Sequence, residues 1–163
     1  MVKFLLKLID RISAPKEIYA HCDIPCGIYD PHLAQLSAHT VIRMTNLINE
    51  LPNVDSKERE YKLARYTLVK EQHAELVKKE VRIIWGDYFK PEHLEKYPKL
   101  HDLAYEIMKL ASKTRQEVSI EVGKQLLSKV QEFAEIFWKT KDKETVRVKS
   151  PYPTEGELVL PKL

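Results

Sequence analysis

An all-α protein, built as an antiparallel four-helix bundle, is what this sequence predicts. Three observations carry the prediction. Apolar residues recur at helical spacing in four stretches, helix start and stop residues separate those stretches, and no period-two alternation appears before residue 145. The chain has 163 residues, enough for one domain with short flanking segments. With 44% hydrophobic and 31% charged residues it can bury one core under a solvated surface, which excludes a disordered chain. Only four glycines are present, too few for collagen-like or Gly-rich architectures. No apolar run approaches the roughly 18 residues of a membrane span, so no membrane partner is expected. The net charge of +3 is too small and too evenly mixed to suggest a nucleic-acid partner. The whole excess sits in the flanks: residues 1–20 carry +2 and residues 141–163 carry +1.

Each element has its own local signals. Asp30-Pro31 reads as a helix start, with Asp as N-cap and Pro at the first helical position. Leu33, Leu36, Met44, Leu47, Ile48 and Leu51 then recur at helical spacing until Pro52. Asp55-Ser56-Lys57-Glu58 resembles a capping box opening a second helix, which runs to Trp85 and stops at Gly86. Its stripe is Tyr66, Val69, Val77, Val81 and Ile84. Residues 86–98 contain Pro91 and Pro98 and are too broken for a long helix. Leu100, Leu103, Ala104, Ile107 and Leu110 mark the third helix. Thr114-Arg115-Gln116-Glu117 reads as a capping box for the fourth, whose stripe is Val122, Leu126, Val130, Phe133 and Phe137. Residues 141–163 are charged and contain three prolines, and are expected to form a tail. Within it Val146, Val148, Leu158 and Leu160 could pack as short extended pieces against the bundle or a neighbour.

Met1–Ala20 fails as an export signal, because Lys7 and Asp10 break its apolar stretch. Two readings remain for it: an amphipathic first helix, or a leader cut after Ala20, next to the small-residue edge Ile18-Tyr19-Ala20. The residues beyond Ala20 favour a cut. His21-Cys22-Asp23-Ile24-Pro25-Cys26 places two thiols and an imidazole within six residues. Two Cys cannot build a disulfide framework, and spaced this closely they are a redox pair or part of a metal site. Three side-chain ligands are too few for a closed zinc site. A chain beginning at His21 changes the chemistry. Its α-amine, the Cys22 amide nitrogen and the Cys22 sulfur can close two five-membered chelate rings on one metal, and Cys26 adds a second sulfur. The His21 ring is then available along the axis. Such a planar set of two nitrogens and two sulfurs suits nickel or copper rather than zinc, calcium or magnesium. The amine titrates near pH ~8 and can yield its proton to a metal in neutral water.

The stretch resembles the amino-terminal metal hook of the nickel-containing superoxide dismutase family, His-Cys-Asp-x-Pro-Cys-Gly-x-Tyr-Asp-Pro, at all nine fixed positions. The resemblance extends to Trp85-Gly86-Asp87-Tyr88-Phe89-Lys90-Pro91, to His93, Tyr97-Pro98 and His101, and to Ile136-Phe137-Trp138, so it covers roughly residues 21–140. It implies an oxidoreductase that disproportionates two superoxide anions to dioxygen and hydrogen peroxide by cycling one nickel per chain between divalent and trivalent states. It also implies a homohexamer, and a precursor whose leader a maturation protease removes between Ala20 and His21. His21 would contribute its α-amine and, in the oxidised state, its ring; Cys22 its amide nitrogen and sulfur; Cys26 its sulfur. Thiolates have a physical purpose there, because anionic sulfur lowers a nickel potential otherwise too high for the cycle.

By the same resemblance Tyr29 and Tyr88 order water beside the open face of the metal, and Asp23 fixes the hook through backbone N–H groups. Lys90 attracts superoxide by its charge. A cis Ile24–Pro25 peptide is expected, since Cys26 must fold back within four residues. One departure stands out. Where family members carry an arginine supporting the axial histidine, this chain has His73, and where they carry that arginine's carboxylate companion it has Ser37. His73, through Ser37 or water, is expected to take over the support. His32, His39, His93 and His101 are expected at the surface or at interfaces.

The expected organisation is a leader at 1–20, a nickel hook at 21–30, a bundle at 31–140 and a tail at 141–163. The need for reduced thiols, with no export signal, places the protein in the cytoplasm. The competing reading is a nickel-binding or delivery protein that uses the same hook without turnover.

Overall fold

The computed structural model describes residues 27–162. Five helices and one hairpin make up the fold: α1 (His32–Asn49), α2 (Lys57–Ile83), α3 (Pro91–Lys96), α4 (Leu100–Gln116), α5 (Ile120–Thr140), β1 (Thr145–Lys149) and β2 (Glu157–Pro161). The four long helices form the bundle: α1 packs on α2 and α5, and α4 packs on α2 and α5. Short connections between successive neighbours make the bundle antiparallel. Its core takes the predicted stripe of α5 and most of those of α2 and α4, but not that of α1: Leu33 is exposed and Leu36, Met44, Leu47 and Ile48 are only half-buried, while Ala34, Ala38, Val41 and Ile42 face the core. Val77 and Val81 of α2, Leu100 and Ile107 of α4, and Leu126, Val130, Phe133 and Phe137 of α5 are fully buried.

Local chemistry explains most boundaries. The Asp30 carboxylate accepts from the His32 N–H at 2.7 Å and so closes the start of α1. Ser56 caps α2, its hydroxyl accepting from the Arg59 N–H at 3.2 Å. Two expectations need correction. Thr114-Arg115-Gln116-Glu117 does not open a helix: these residues end α4, and the Thr114 hydroxyl donates back to the Ala111 carbonyl at 2.8 Å. Ser119 is the true cap of α5, accepting from the Val122 N–H at 3.3 Å. Gly86 likewise does not stop α2. The coil continues through it as a widened π turn over Ile84–Tyr88, closed by the Phe89 N–H on the Ile84 carbonyl at 3.3 Å, and extended backbone begins at Phe89.

The segment expected as a tail is a docked antiparallel hairpin, with Arg147 opposite Val159 in its register. Leu158 and Val159 are buried, whereas Val146 and Val148 stay exposed. The docking is polar. The Gln35 side-chain amide of α1 behaves as an extra strand, donating to the Val159 carbonyl at 3.0 Å and accepting from its N–H at 2.8 Å. Gln131 of α5 donates to the Glu157 carbonyl at 2.6 Å. That carbonyl also accepts from His39 Nε2 at 3.1 Å, which leaves Nδ1 to accept from the Thr154 hydroxyl at 2.7 Å. His39, expected at the surface or at an interface, is instead a buried hub of the docking within the chain, and burial holds its pKa below the ordinary 6.5. Gly156 is required beside it, because a Cβ there would lie 2.7 Å from the His39 ring.

Replacing Gln35 with alanine should leave two buried backbone groups of Val159 unpaired, at a cost of about 2–4 kcal/mol. Urea unfolding measures the loss and hydrogen exchange localises it to β2. An unchanged midpoint would show that the hairpin is held elsewhere.

Candidate metal centre

Three segments converge at the amino-terminal end of the described chain: residues 27–30, the π turn with α3, and the carboxyl end of α5. Gly27 has φ +74, a left-handed conformation that glycine adopts without strain. After the exposed Ile28, the chain brings the half-buried Tyr29 ring to 5.5 Å from that of Tyr88. Tyr88 is the centre of an aromatic cluster. Its ring lies 4.8 Å from Phe137, 5.2 Å from Phe89 and 5.6 Å from the stacked His93 imidazole. The widened turn makes this possible by directing Tyr88 and Phe89 together onto α5.

The partner of Tyr88 fixes the direction of its hydrogen bond. The Thr140 hydroxyl donates to the Phe137 carbonyl at 2.6 Å, so over its 2.8 Å contact with Tyr88 it accepts, and Tyr88 donates. Lys141 closes the group. Its Nζ stands 5.0 Å from the Tyr88 ring centroid and 5.3 Å from that of Phe137, and donates to the Gly27 carbonyl at 3.5 Å. The end of α5 is locked by two bonds, Lys143 N–H to the Trp138 carbonyl at 3.0 Å and Asp142 N–H to the Lys139 carbonyl at 3.2 Å, with Asp142 left-handed at φ 55. That is the Schellman closure, here with Asp in the position glycine usually takes.

Of the other sequence-predicted residues, Lys90 is exposed at the start of α3, where its backbone N–H donates to His93 Nδ1 at 3.1 Å. Ser37 is buried in α1, and its hydroxyl donates to the Leu33 carbonyl at 2.7 Å. His73 is half-buried in α2, its Nδ1–H on the Val69 carbonyl at 2.9 Å. Among the described residues no hydrogen bond joins Ser37 to His73. Ala20, His21, Cys22, Asp23, Cys26 and the Ile24–Pro25 peptide lie outside the described residues. Among the described residues no group of three His, Cys, Asp or Glu could hold a metal ion. The donors that the sequence offers at His21, Cys22 and Cys26 are of nitrogen and thiol type, which is the chemistry that suits nickel.

Residues 16–141 match the family model for nickel-containing superoxide dismutase. The chain belongs to that family. It is 38% identical over 137 residues to a nickel superoxide dismutase of Streptomyces coelicolor, an alignment covering 82% of this chain and 98% of the relative. A nickel superoxide dismutase of Streptomyces seoulensis is also 38% identical, over 135 residues, with the same coverage. Among solved structures, native nickel superoxide dismutase at 1.30 Å is 38% identical, with a TM-score of 0.65 over 74% of this chain and 99% of that one. A nickel-containing superoxide dismutase with the ligation of its oxidised state gives a TM-score of 0.68 at 36% identity, over 75% and 99%. Within the nickel-containing superoxide dismutase family, then, this chain carries its β hairpin after the matched residues end at 141.

Sequence reasoning missed Thr140 and Lys141, which it left at the edge of the presumed tail. The signal was present: a lysine just after a last helical turn that carries Phe137 and Trp138 is a cation at a helix carboxyl terminus beside aromatic rings.

Removing the Tyr88 ring by substitution to alanine should strip its four ring neighbours of contact and cost about 3–5 kcal/mol. Tyr88→Phe, which loses only the bond to Thr140, should cost about 1 kcal/mol. Thermal unfolding of the two variants checks the ordering, and equal losses would show that the cluster does not carry the local stability.

Proposed function

We infer that this chain is a superoxide dismutase, converting two superoxide anions and two protons to dioxygen and hydrogen peroxide, with nickel as its cofactor. The observation that carries the inference is family membership over residues 16–141 in a chain whose hook motif is intact at all nine fixed positions. Nickel, when bound, supplies the one-electron change between divalent and trivalent states. His21 would hold it through the α-amine and ring, Cys22 through amide nitrogen and sulfur, and Cys26 through sulfur. The amine is a ligand only after the bond from Ala20 to His21 is cut, so the reading includes a leader at 1–20, a hook at 21–30, a bundle at 31–140 and a maturation protease. Residues 141–163 then form a separate carboxyl-terminal segment, within which Thr145–Lys149 and Glu157–Pro161 pair as a hairpin.

The surrounding residues have assigned work. Tyr88 keeps its proton on Thr140, which leaves its lone pairs to order water at the hook. Tyr29, ring to ring with Tyr88, narrows access to small species. Asp23 organises the hook's backbone, and Lys90 adds positive charge for an anionic substrate. His73 uses Nδ1–H on its own helix, which leaves Nε2 as the ring nitrogen for the His21 ring. Ser37 stands on the neighbouring helix with its hydroxyl proton bound to Leu33 and its lone pairs available.

Assembly into a homohexamer belongs to the same reading, supported by Leu33, Tyr61, Leu68 and Tyr105, large side chains that the single chain leaves exposed. Among the described residues no helix is long and apolar enough to cross a membrane. Cytoplasmic placement is supported by the requirement for two reduced thiols.

Two purified forms test the reading, one starting at His21 and one keeping Met1–Ala20, both offered nickel. Only the His21 form should bind about one nickel per chain and dismutate superoxide. Nickel bound without turnover would favour the delivery protein, and equal behaviour of the two forms would remove the amine from the ligand set. His73→Ala should leave nickel content intact but alter the nickel spectrum and lower activity about tenfold or more, as loss of a ligand's hydrogen-bond partner does. An unchanged spectrum with full activity would end the assignment of His73.

A further inference from the structure

The product of this reaction differs from its substrate in charge. Superoxide is an anion, whereas dioxygen and hydrogen peroxide are neutral. A fixed positive charge at the hook therefore favours arrival without retaining what leaves. The described residues hold such a charge. Lys141 Nζ is fixed by three contacts, the Gly27 carbonyl and the rings of Tyr88 and Phe137, and its residue ends a helix that is itself locked by the Asp142 and Lys143 bonds. Gly27 is bonded directly to Cys26, so covalent geometry alone keeps the ammonium within about 10 Å of the Cys26 Cα.

Resting on the dismutase reading, we propose that Lys141 guides superoxide to the hook. Its place is set by the fold, and this separates it from Lys90, which is exposed on the start of a six-residue helix. The two ring faces lower the freedom of the side chain while leaving its charge unneutralised, since an aromatic quadrupole attracts a cation without carrying net charge. Among the described residues no carboxylate pairs with Lys141, so its field is not cancelled locally. A unit charge near 10 Å in a mostly aqueous setting changes the local concentration of a monovalent anion about two- to fourfold, and salt weakens the effect.

The test uses the nickel-loaded chain beginning at His21, with Lys141→Met and Lys141→Arg. Lys141→Met keeps the apolar stem against the rings and removes the charge. It should lower kcat/KM for superoxide about two- to fourfold with kcat unchanged, and flatten the dependence on ionic strength. Affinity for azide, an anion used as a probe that is not turned over, should fall by the same factor. Lys141→Arg should restore all three. Nickel per chain and the nickel–thiolate absorption should match the parent in both variants. Unchanged kcat/KM, salt dependence and azide affinity in Lys141→Met would overturn the proposal. Loss of nickel or an altered absorption in that variant would overturn it too, by making the Gly27 contact an anchor of the hook. An inactive nickel-loaded parent would sink the dismutase reading itself, and the guide with it.

Discussion

The arrangement of the site depends on one widened helical turn. An α-helix ending at Ile83 and passing into a plain loop would present Tyr88 and Phe89 on opposite sides of an extended chain. The π turn over Ile84–Tyr88 inserts one residue more per turn, and both rings then face α5. Phe89 enters the core against Phe133, and Tyr88 lies over Phe137 with His93 stacked behind it. Tyr29, Thr140 and Lys141 all contact Tyr88, and Lys141 also reaches the Gly27 carbonyl directly. The turn tolerates this because its first carbonyl, on Ile84, keeps a backbone partner in the Phe89 N–H despite the change of pitch.

The bundle was legible in the sequence because its information is periodic. The apolar stripe of α5 reads directly as buried side chains, and so does most of that of α4. α2 was read less well: its middle is anchored by Lys70, a buried lysine that donates to the Glu117 carbonyl at 2.8 Å, and no periodicity of apolar residues points to a lysine. Capping motifs misled where two candidates stood close together. Thr114 and Ser119 both precede a glutamate, and the choice between them is made by Glu117, whose extended backbone (φ −141, ψ 160) breaks the coil between α4 and α5. The ligand set proposed for the hook, which lies outside the described residues, rests on another kind of signal. It depends on residue identity and spacing along one short stretch, so no tertiary information is needed to name it.

The hairpin was only half legible: short extended pieces at Val146, Val148, Leu158 and Leu160 were one option beside a tail, and its physics explains why the sequence did not decide. Sequence patterns report strands that bury an apolar face, yet β2 is held mainly through its backbone. Gln35 supplies both halves of a strand's hydrogen bonding from a helix, and Gln131 and His39 converge on a single carbonyl. Neither glutamine in α1 or α5 signals such a role by itself. Arg147, with carboxylate Glu135 at 2.8 Å, shields the same face from the other strand. Each of these buried polar groups is matched, which is the condition for a polar interface to hold a strand without an apolar seam.

The hairpin and the site are joined by the few residues between them. Asp142 adopts a left-handed conformation that costs a non-glycine residue of order 1 kcal/mol, and the fold retains it. The return is a sharp exit from α5: the chain reverses at Asp142, closes two carbonyls of the last turn and enters β1 within three residues. Lys162 then ties back to Glu144 through both backbone and side chain, at 2.8 Å in each case, so the strand that begins there is fixed at both ends. A helix end restrained from both sides cannot fray, and Lys141 is the residue at that end. The position of its ammonium over the Tyr88 and Phe137 rings is thus a consequence of backbone closure as much as of cation–π attraction, which alone contributes only about 0.5–1 kcal/mol at exposed sites. A charge held by backbone geometry stays in place under salt that would weaken any ion pair, while its long-range pull on an anion remains open to screening.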